Sequence, residues 1–266
     1  MRVDYFRYRN IRFNNIRLSL PFAILWGVLA VMSCSEKEFD PNDALKSFAI
    51  AKEPYDNGSY DEALKRLGEF KARFPYSQFA AEAELLIAES EFHLDHFQEA
   101  ASDFDKFVKL HPKHPKAPYA LYRVAESYWE DSPDVVTREQ EYTEKAVKRW
   151  EDIVKNTPKS EFAAKSQEMI LKGRRRLAES IQFVARFYCK REIWHSCAYR
   201  NMELLDKYAD MKDLASEAIT MAAMALDHVA DSKENNPGSD KNLYHRSMSA
   251  AQIREKAANL RRILKG

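Results

Sequence analysis

The sequence predicts an all-α fold, a superhelix of about five stacked helical hairpins. Three observations predict it: the composition, self-similarity at fixed offsets, and a proline that follows each early hairpin. The 266 residues include 33 Ala against 27 β-branched residues (11 Val, 12 Ile, 4 Thr) and only 6 Gly. Ala is the best helix former and β-branched residues favour strands, so a sandwich, a barrel or a parallel sheet is disfavoured. Lys and Arg number 42 and Asp and Glu 41, a net charge of +1. That balance gives no bulk electrostatic grip on nucleic acid, and none is expected as a partner.

An offset of 37 residues carries Ala51, Tyr60, Ala63, Phe70 and Pro75 onto Ala88, Phe97, Ala100, Phe107 and Pro112. An offset of 83 carries Ala63, Pro75, Ser77, Phe79 and Ala80 onto Ala146, Pro158, Ser160, Phe162 and Ala163, and one of 134 carries Ala51, Tyr60 and Phe70 onto Ala185, Trp194 and Leu204. A helix–turn–helix repeated at about this period is the tetratricopeptide (TPR) form. Gly58-Ser59-Tyr60-Asp61-Glu62-Ala63 opens a second helix, with Gly in the turn and Ala where two helices approach closely. Pro75, Pro112 and Pro158 each stop a second helix, and Ser77 and Ser160 supply caps for the next. Spacings of 3, 3 and 4 along Leu64, Leu67, Phe70 and Phe74 are helical. No hairpin buries its apolar face alone, so neighbours stack into a superhelix with a concave surface.

The units follow in order. Residues 44–112 hold the first two, 44–75 and 77–112. Residues 113–158 hold the third, with nine extra residues near Asp131–Glu139. Residues 159–266 hold the fourth, the fifth and a capping helix. The fourth unit's first helix is fourteen residues longer than its counterparts, which predicts Glu161 to Lys190, roughly 45 Å. The fifth pair is 213–230 and 242–264 around a polar break, Asp231–Asp240. Ile253, Ala257, Leu260 and Leu264 make one apolar stripe on the last helix.

Ahead of the repeats, Arg2, Arg7, Arg9, Arg12 and Arg17 precede an apolar run from Leu18 to Met32. Fifteen residues suit a signal-peptide core better than the roughly 20 of a membrane-spanning helix. The run ends at Val31-Met32-Ser33-Cys34, which resembles a bacterial lipobox; the Cys thiolate is the nucleophile that accepts the diacylglyceryl group. Residues 1–33 are therefore expected to be a cleaved signal peptide, Cys34 the lipid attachment site and 34–43 an extended, lipidated tether. By likeness to lipoprotein sorting, Ser35 in place of Asp after the Cys points to the outer membrane. Cleavage removes five Arg and Asp4, taking the net charge from +1 to −3.

Candidate sites are few. The pairs His93/His96 and His111/His114 lack a convincing further ligand, so no metal is expected. Cys189 and Cys197 lie eight apart, and Cys197 falls where other units place Ala; a buried thiol acting as a small packing residue is favoured, with a disulfide in an oxidising periplasm left open. Lys172, Arg174, Arg175 and Arg176 form the densest basic cluster of the mature chain. It is either a solvated face of ordinary ion pairs or a docking surface for an acidic partner. Tyr55, Tyr60, Phe74, Tyr76 and Phe79 crowd the first unit; most are expected in the core, with one or two reaching a peptide-binding groove. No Gly-rich phosphate loop, nucleophile elbow or HExxH motif is present, which argues against an enzyme.

The stretch Phe104-Asp-Lys-Phe-Val-Lys-Leu-His-Pro-Lys-His-Pro-Lys-Ala-Pro-Tyr-Ala-Leu-Tyr122 closely resembles the BamD family, the TPR lipoproteins of the outer-membrane β-barrel assembly (BAM) machinery. So do Phe74-Pro75-Tyr76-Ser77, Arg138-Glu139-Gln140, Leu177-Ala178 and Val184-Ala185-Arg186-Phe187-Tyr188. With the lipobox, the likeness runs from Cys34 to about Tyr208. It implies a non-catalytic factor with no cofactor beyond the N-acyl and S-diacylglycerol lipid on Cys34, anchored on the periplasmic face of the outer membrane. It also implies docking on the barrel subunit BamA, association with other BAM lipoproteins, and reception of unfolded outer-membrane β-barrel proteins. Arg176, just before Leu177-Ala178, matches an arginine implicated in coupling to the barrel subunit, and Arg174 and Arg175 are taken with it as the partner-binding residues; the turn from Phe74 to Phe79 matches the region proposed to meet client peptide. A different periplasmic TPR lipoprotein, a cell-wall or envelope-scaffold adaptor, is the alternative reading.

Overall fold

A computed structural model describes residues 37–236 and 247–264. The compact unit comprises residues 39–266. The signal peptide 1–33 and Cys34 lie outside the described residues, as does 237–246 of the predicted break and last helix. Ten helices and no strand occur among the described residues: α1 Ala44–Asp56, α2 Tyr60–Arg73, α3 Ala80–His93, α4 Phe97–Leu110, α5 Ala117–Glu130, α6 Glu141–Asn156, α7 Glu161–Lys190, α8 Trp194–Tyr208, α9 Lys212–Asn235 and α10 Ala250–Ile263. α7 has the bounds that the offset arithmetic predicts.

Each helix packs on its neighbours in sequence, and α1 meets α3, α5 meets α7, and α7 meets α9. The odd-numbered helices thus line one side, as in a TPR superhelix. Small residues set the approach: Ala51, Ala63, Ala88, Ala100, Ala146 and Ala185 are fully buried. At the α6–α7 crossing even Ala is too large, because a Cβ on Gly173 would lie 2.3 Å from Val147 Cγ2.

The repeat is clearer in the backbone than in the side chains. Gly58, Asp95 and Glu192 all take positive φ (75°, 61° and 57°) in the turn inside a hairpin. They are related by the same offsets of 37 and 134. Only Gly takes this conformation without steric cost, so the second and fourth hairpins keep the turn geometry at some strain. Between hairpins, Phe74, His111 and Thr157 share φ near −130° and donate their N–H groups to Phe70, Phe107 and Ile153. Their own carbonyls then accept from Ser77, His114 and Ser160 at 3.0–3.1 Å. The prolines at 75, 112 and 158 thus sit in one recurrent hydrogen-bonded turn.

Four expectations need correction. Cys189 and Cys197 are not free thiols: a disulfide joins them across the α7–α8 turn, with Cα atoms 4.8 Å apart. Cys197 does fill a small, fully buried position, but the tight turn brings the second sulfur onto it. Phe39 is not part of an extended tether. Its ring packs edge-on to Phe70, with the Arg66 guanidinium 4.2 Å from its centroid, and Asp43 caps α1. The polar break does not begin at Asp231, because α9 continues to Asn235. Asp231 and Glu234 are not loop residues but partners of Arg254 on α10, at 2.6 and 2.8 Å. Finally, α10 starts at Ala250 behind a Ser249–Gln252 capping box, and Leu264 at the end of the predicted stripe is exposed.

Candidate functional site

The odd-numbered helices enclose a groove of about 380 Å³. Tyr55 from the end of α1, Leu85 and Leu86 from α3 and Phe162 from the start of α7 give it apolar and aromatic walls. Glu89 on α3 and Tyr119 near the start of α5 supply its polar side, with Lys116 and Glu161 also bordering it. Phe162 is positioned by Ser160, whose hydroxyl accepts from the Phe162 N–H, and its ring packs 5.7 Å from Tyr119 and 5.3 Å from Tyr122.

Beneath the groove lies a charged network that ties the second unit to the third. The Tyr119 hydroxyl donates to Glu89 Oε1 at 2.5 Å, and Arg123 donates to Glu89 Oε2 at 2.8 Å and to Glu126 at 2.9 Å. The Arg123 guanidinium also lies 3.7 Å from the centroid of Phe92. Burial, then the hydrogen bond to Glu89, holds the Tyr119 phenol far above its ordinary range, so it stays a donor. Burial, with the Glu89 charge second, likewise raises Tyr55. Tyr122 is pushed up to about 12 by burial and Glu126.

Of the five aromatics singled out in the sequence, only Tyr55 lines this groove. Tyr60 stacks on His93 with centroids 4.3 Å apart, Phe79 stacks on Phe48 at 5.1 Å, and Phe74 packs on Phe70 at 5.2 Å. These three are packing residues. Tyr76 is wholly exposed at the turn between hairpins. Glu89, Tyr119 and Phe162 were not among the candidates. The signal that could have marked Glu89 is its register: of the four carboxylates on α3 it lies four residues after Leu85 and three after Leu86, on the apolar face of the helix.

The three arginines do not form one cationic patch, because each is drawn to a different element. Arg174 makes a two-pronged pair with Asp210 in the α8–α9 turn, at 2.7 and 3.0 Å. Arg175 reaches Glu179 and, on α9, Asp213, both at 2.6 Å. Arg176 turns the other way, over Trp129 and onto Ser132 in the loop after α5. Arg175 borders a second groove of about 480 Å³ between α7 and α9, where Arg186 and Gln182 both donate to Glu217 and Phe183 is exposed.

The stacked helical hairpins define a TPR-type repeat protein, and the two grooves described are lined mainly by its odd-numbered helices. The chain belongs to the YfiO family of outer membrane lipoproteins, whose family model matches residues 41–239. The outer membrane protein assembly factor BamD of Caulobacter vibrioides is 29% identical over 143 residues, 54% of this chain and 47% of its own length. The BamD of Neisseria meningitidis serogroup B is 28% identical over 182 residues, 63% of this chain and 66% of its own. The matches thus span from about half to two thirds of these relatives' length. A solved tetratricopeptide repeat protein from Parabacteroides merdae aligns over 84% of this chain and 97% of its own at 14% identity, with a TM-score of 0.37.

Proposed function

We propose that this chain is a non-catalytic assembly factor of the outer membrane that receives unfolded β-barrel proteins and passes them to a BamA-like barrel subunit. The observation that carries this reading is the groove between α1, α3, α5 and α7. Its apolar and aromatic walls on a rigid helical frame suit an extended segment with alternating apolar side chains. The relatives' name, outer membrane protein assembly factor, supports the same reading. A lipid on Cys34 anchors the chain to the periplasmic face of the membrane, since buried acyl chains contribute about 0.8 kcal/mol per CH₂. The C-terminal half, with the rim around Arg174 and Arg175, docks on the barrel subunit and neighbouring lipoproteins. Arg176 instead holds the insert after α5 through Trp129 and Ser132.

The test is affinity purification of the lipidated chain from gently solubilised membranes, followed by mass spectrometry. Near-stoichiometric recovery of the barrel subunit supports the proposal. Its absence, with cell-wall proteins enriched instead, overturns it in favour of an envelope-scaffold adaptor.

A further inference from the structure

We propose that Glu89 is the specificity-determining residue of the α1–α3–α5–α7 groove, its carboxylate accepting a backbone N–H from an extended peptide bound there. The assignment rests on the peptide-groove reading above. Glu89 is the one charged member of the wall whose side chain is more than nine-tenths buried, at 8% exposure, and it still borders the groove. A carboxylate offers about four lone-pair positions. Tyr119 occupies one on Oε1 and Arg123 one on Oε2, leaving acceptor capacity on both oxygens.

Packing alone does not call for this group. A Leu at 89 would extend the wall made by Leu85 and Leu86, and a buried ion pair is a weak source of stability because desolvation offsets its attraction. Arg123 is itself incompletely satisfied, since its Nε has no hydrogen-bond partner among the described residues. What the network does achieve is orientation. Arg123, held against Phe92 and Glu126, and Tyr119 from the next hairpin each fix one carboxylate oxygen. An extended peptide whose apolar side chains enter between Tyr55 and Phe162 carries N–H groups along one edge, at every second residue. A fixed acceptor in an apolar wall selects such a backbone and disfavours a proline or an acidic side chain at that register.

The experiment measures fluorescence anisotropy of a labelled synthetic peptide copying the C-terminal strand of an outer-membrane β-barrel protein, with the detergent-solubilised full chain. A series of the same peptide N-methylated at one backbone position each is run in parallel. The expected result is a loss of about tenfold at one position and little at the others, the scale of a hydrogen bond to a charged group. Glu89→Gln is expected to weaken the unmodified peptide about fivefold and to abolish the positional difference, as a double-mutant cycle requires. A flat N-methyl series, which needs no variant to fold, overturns the assignment. So does wild-type affinity in Glu89→Gln. Either result with a peptide that still binds leaves the groove reading standing, whereas no binding by the wild-type chain overturns both.

Discussion

The guanidinium of Arg176 lies 3.7 Å from the centroid of the Trp129 ring, and its Nη1 donates to the Ser132 hydroxyl at 2.8 Å. One side chain on α7 thus holds the end of α5 and the start of the insert that separates α5 from α6. Asp134 in that insert is a further, longer partner at 3.4 Å.

Arg176→Lys keeps the charge but loses the flat stack and the fork of donors. The expected cost is about 1 kcal/mol, with faster proteolysis within 131–140. Arg175→Ala, which removes two pairs open to solvent, is expected to leave the melting temperature nearly unchanged. Thermal melts and limited proteolysis of the two variants check this, and equal behaviour would contradict the different roles assigned to them.

Gly173→Ala should force α6 and α7 apart at Val147. Overpacking of this kind costs about 1–3 kcal/mol, and the better helix propensity of Ala recovers at most about 1 kcal/mol of it. Denaturant unfolding should show a lower midpoint. Adding Val147→Ala is expected to return part of the loss, because it removes the colliding methyl group.

Opening the disulfide should loosen the α7–α8 turn. Cys189 and Cys197 are separated by eight residues, a loop whose closure is worth about 2–3 kcal/mol in the chain-entropy account. Urea titrations of the oxidised chain and of the Cys189→Ala/Cys197→Ala variant should differ by that amount. Both cysteines are buried, so the folded chain is expected to resist a reductant that acts readily on the unfolded one.

Glu84 carries the pH dependence easiest to isolate. Burial alone would raise its carboxyl, but the His111 hydrogen bond and Lys71 outweigh it and hold it below its ordinary 4.5. A depressed carboxyl contributes stability that is present above the unfolded value and lost as pH falls through the folded one. Melting temperatures should therefore drop below about pH 4.5 with a slope that Glu84→Gln flattens. An unchanged slope in the variant would show that other carboxylates carry the acid transition.

The sequence displayed the helices well because their signals are local. Pro75, Pro112 and Pro158 mark the helix ends, and the Ala ladder from Ala51 to Ala185 marks the crossings. The site was much less legible. Tyr60, Phe74 and Phe79 resemble binding aromatics by type, but whether a ring faces a groove or a neighbouring ring depends on how one hairpin rotates on the next. The same holds for the arginines at 174–176, adjacent in sequence yet fanned by the helix toward three different elements. The Cys189–Cys197 bond stayed an open alternative for a related reason: it depends on the left-handed turn at Glu192, where no glycine marked the spot.

Every described helix finds its main partners within the next two elements, so the tertiary contacts stay within a hairpin or between neighbouring hairpins. Folding of such a chain need not wait for its far end. Delivered N-terminus first, it can settle hairpin by hairpin while the remainder is still arriving, and the groove between α1 and the start of α7 is complete before α8, α9 or α10 exists. Under the function proposed above, capture of a ligand and attachment to a larger assembly belong to parts of the chain that mature at different times.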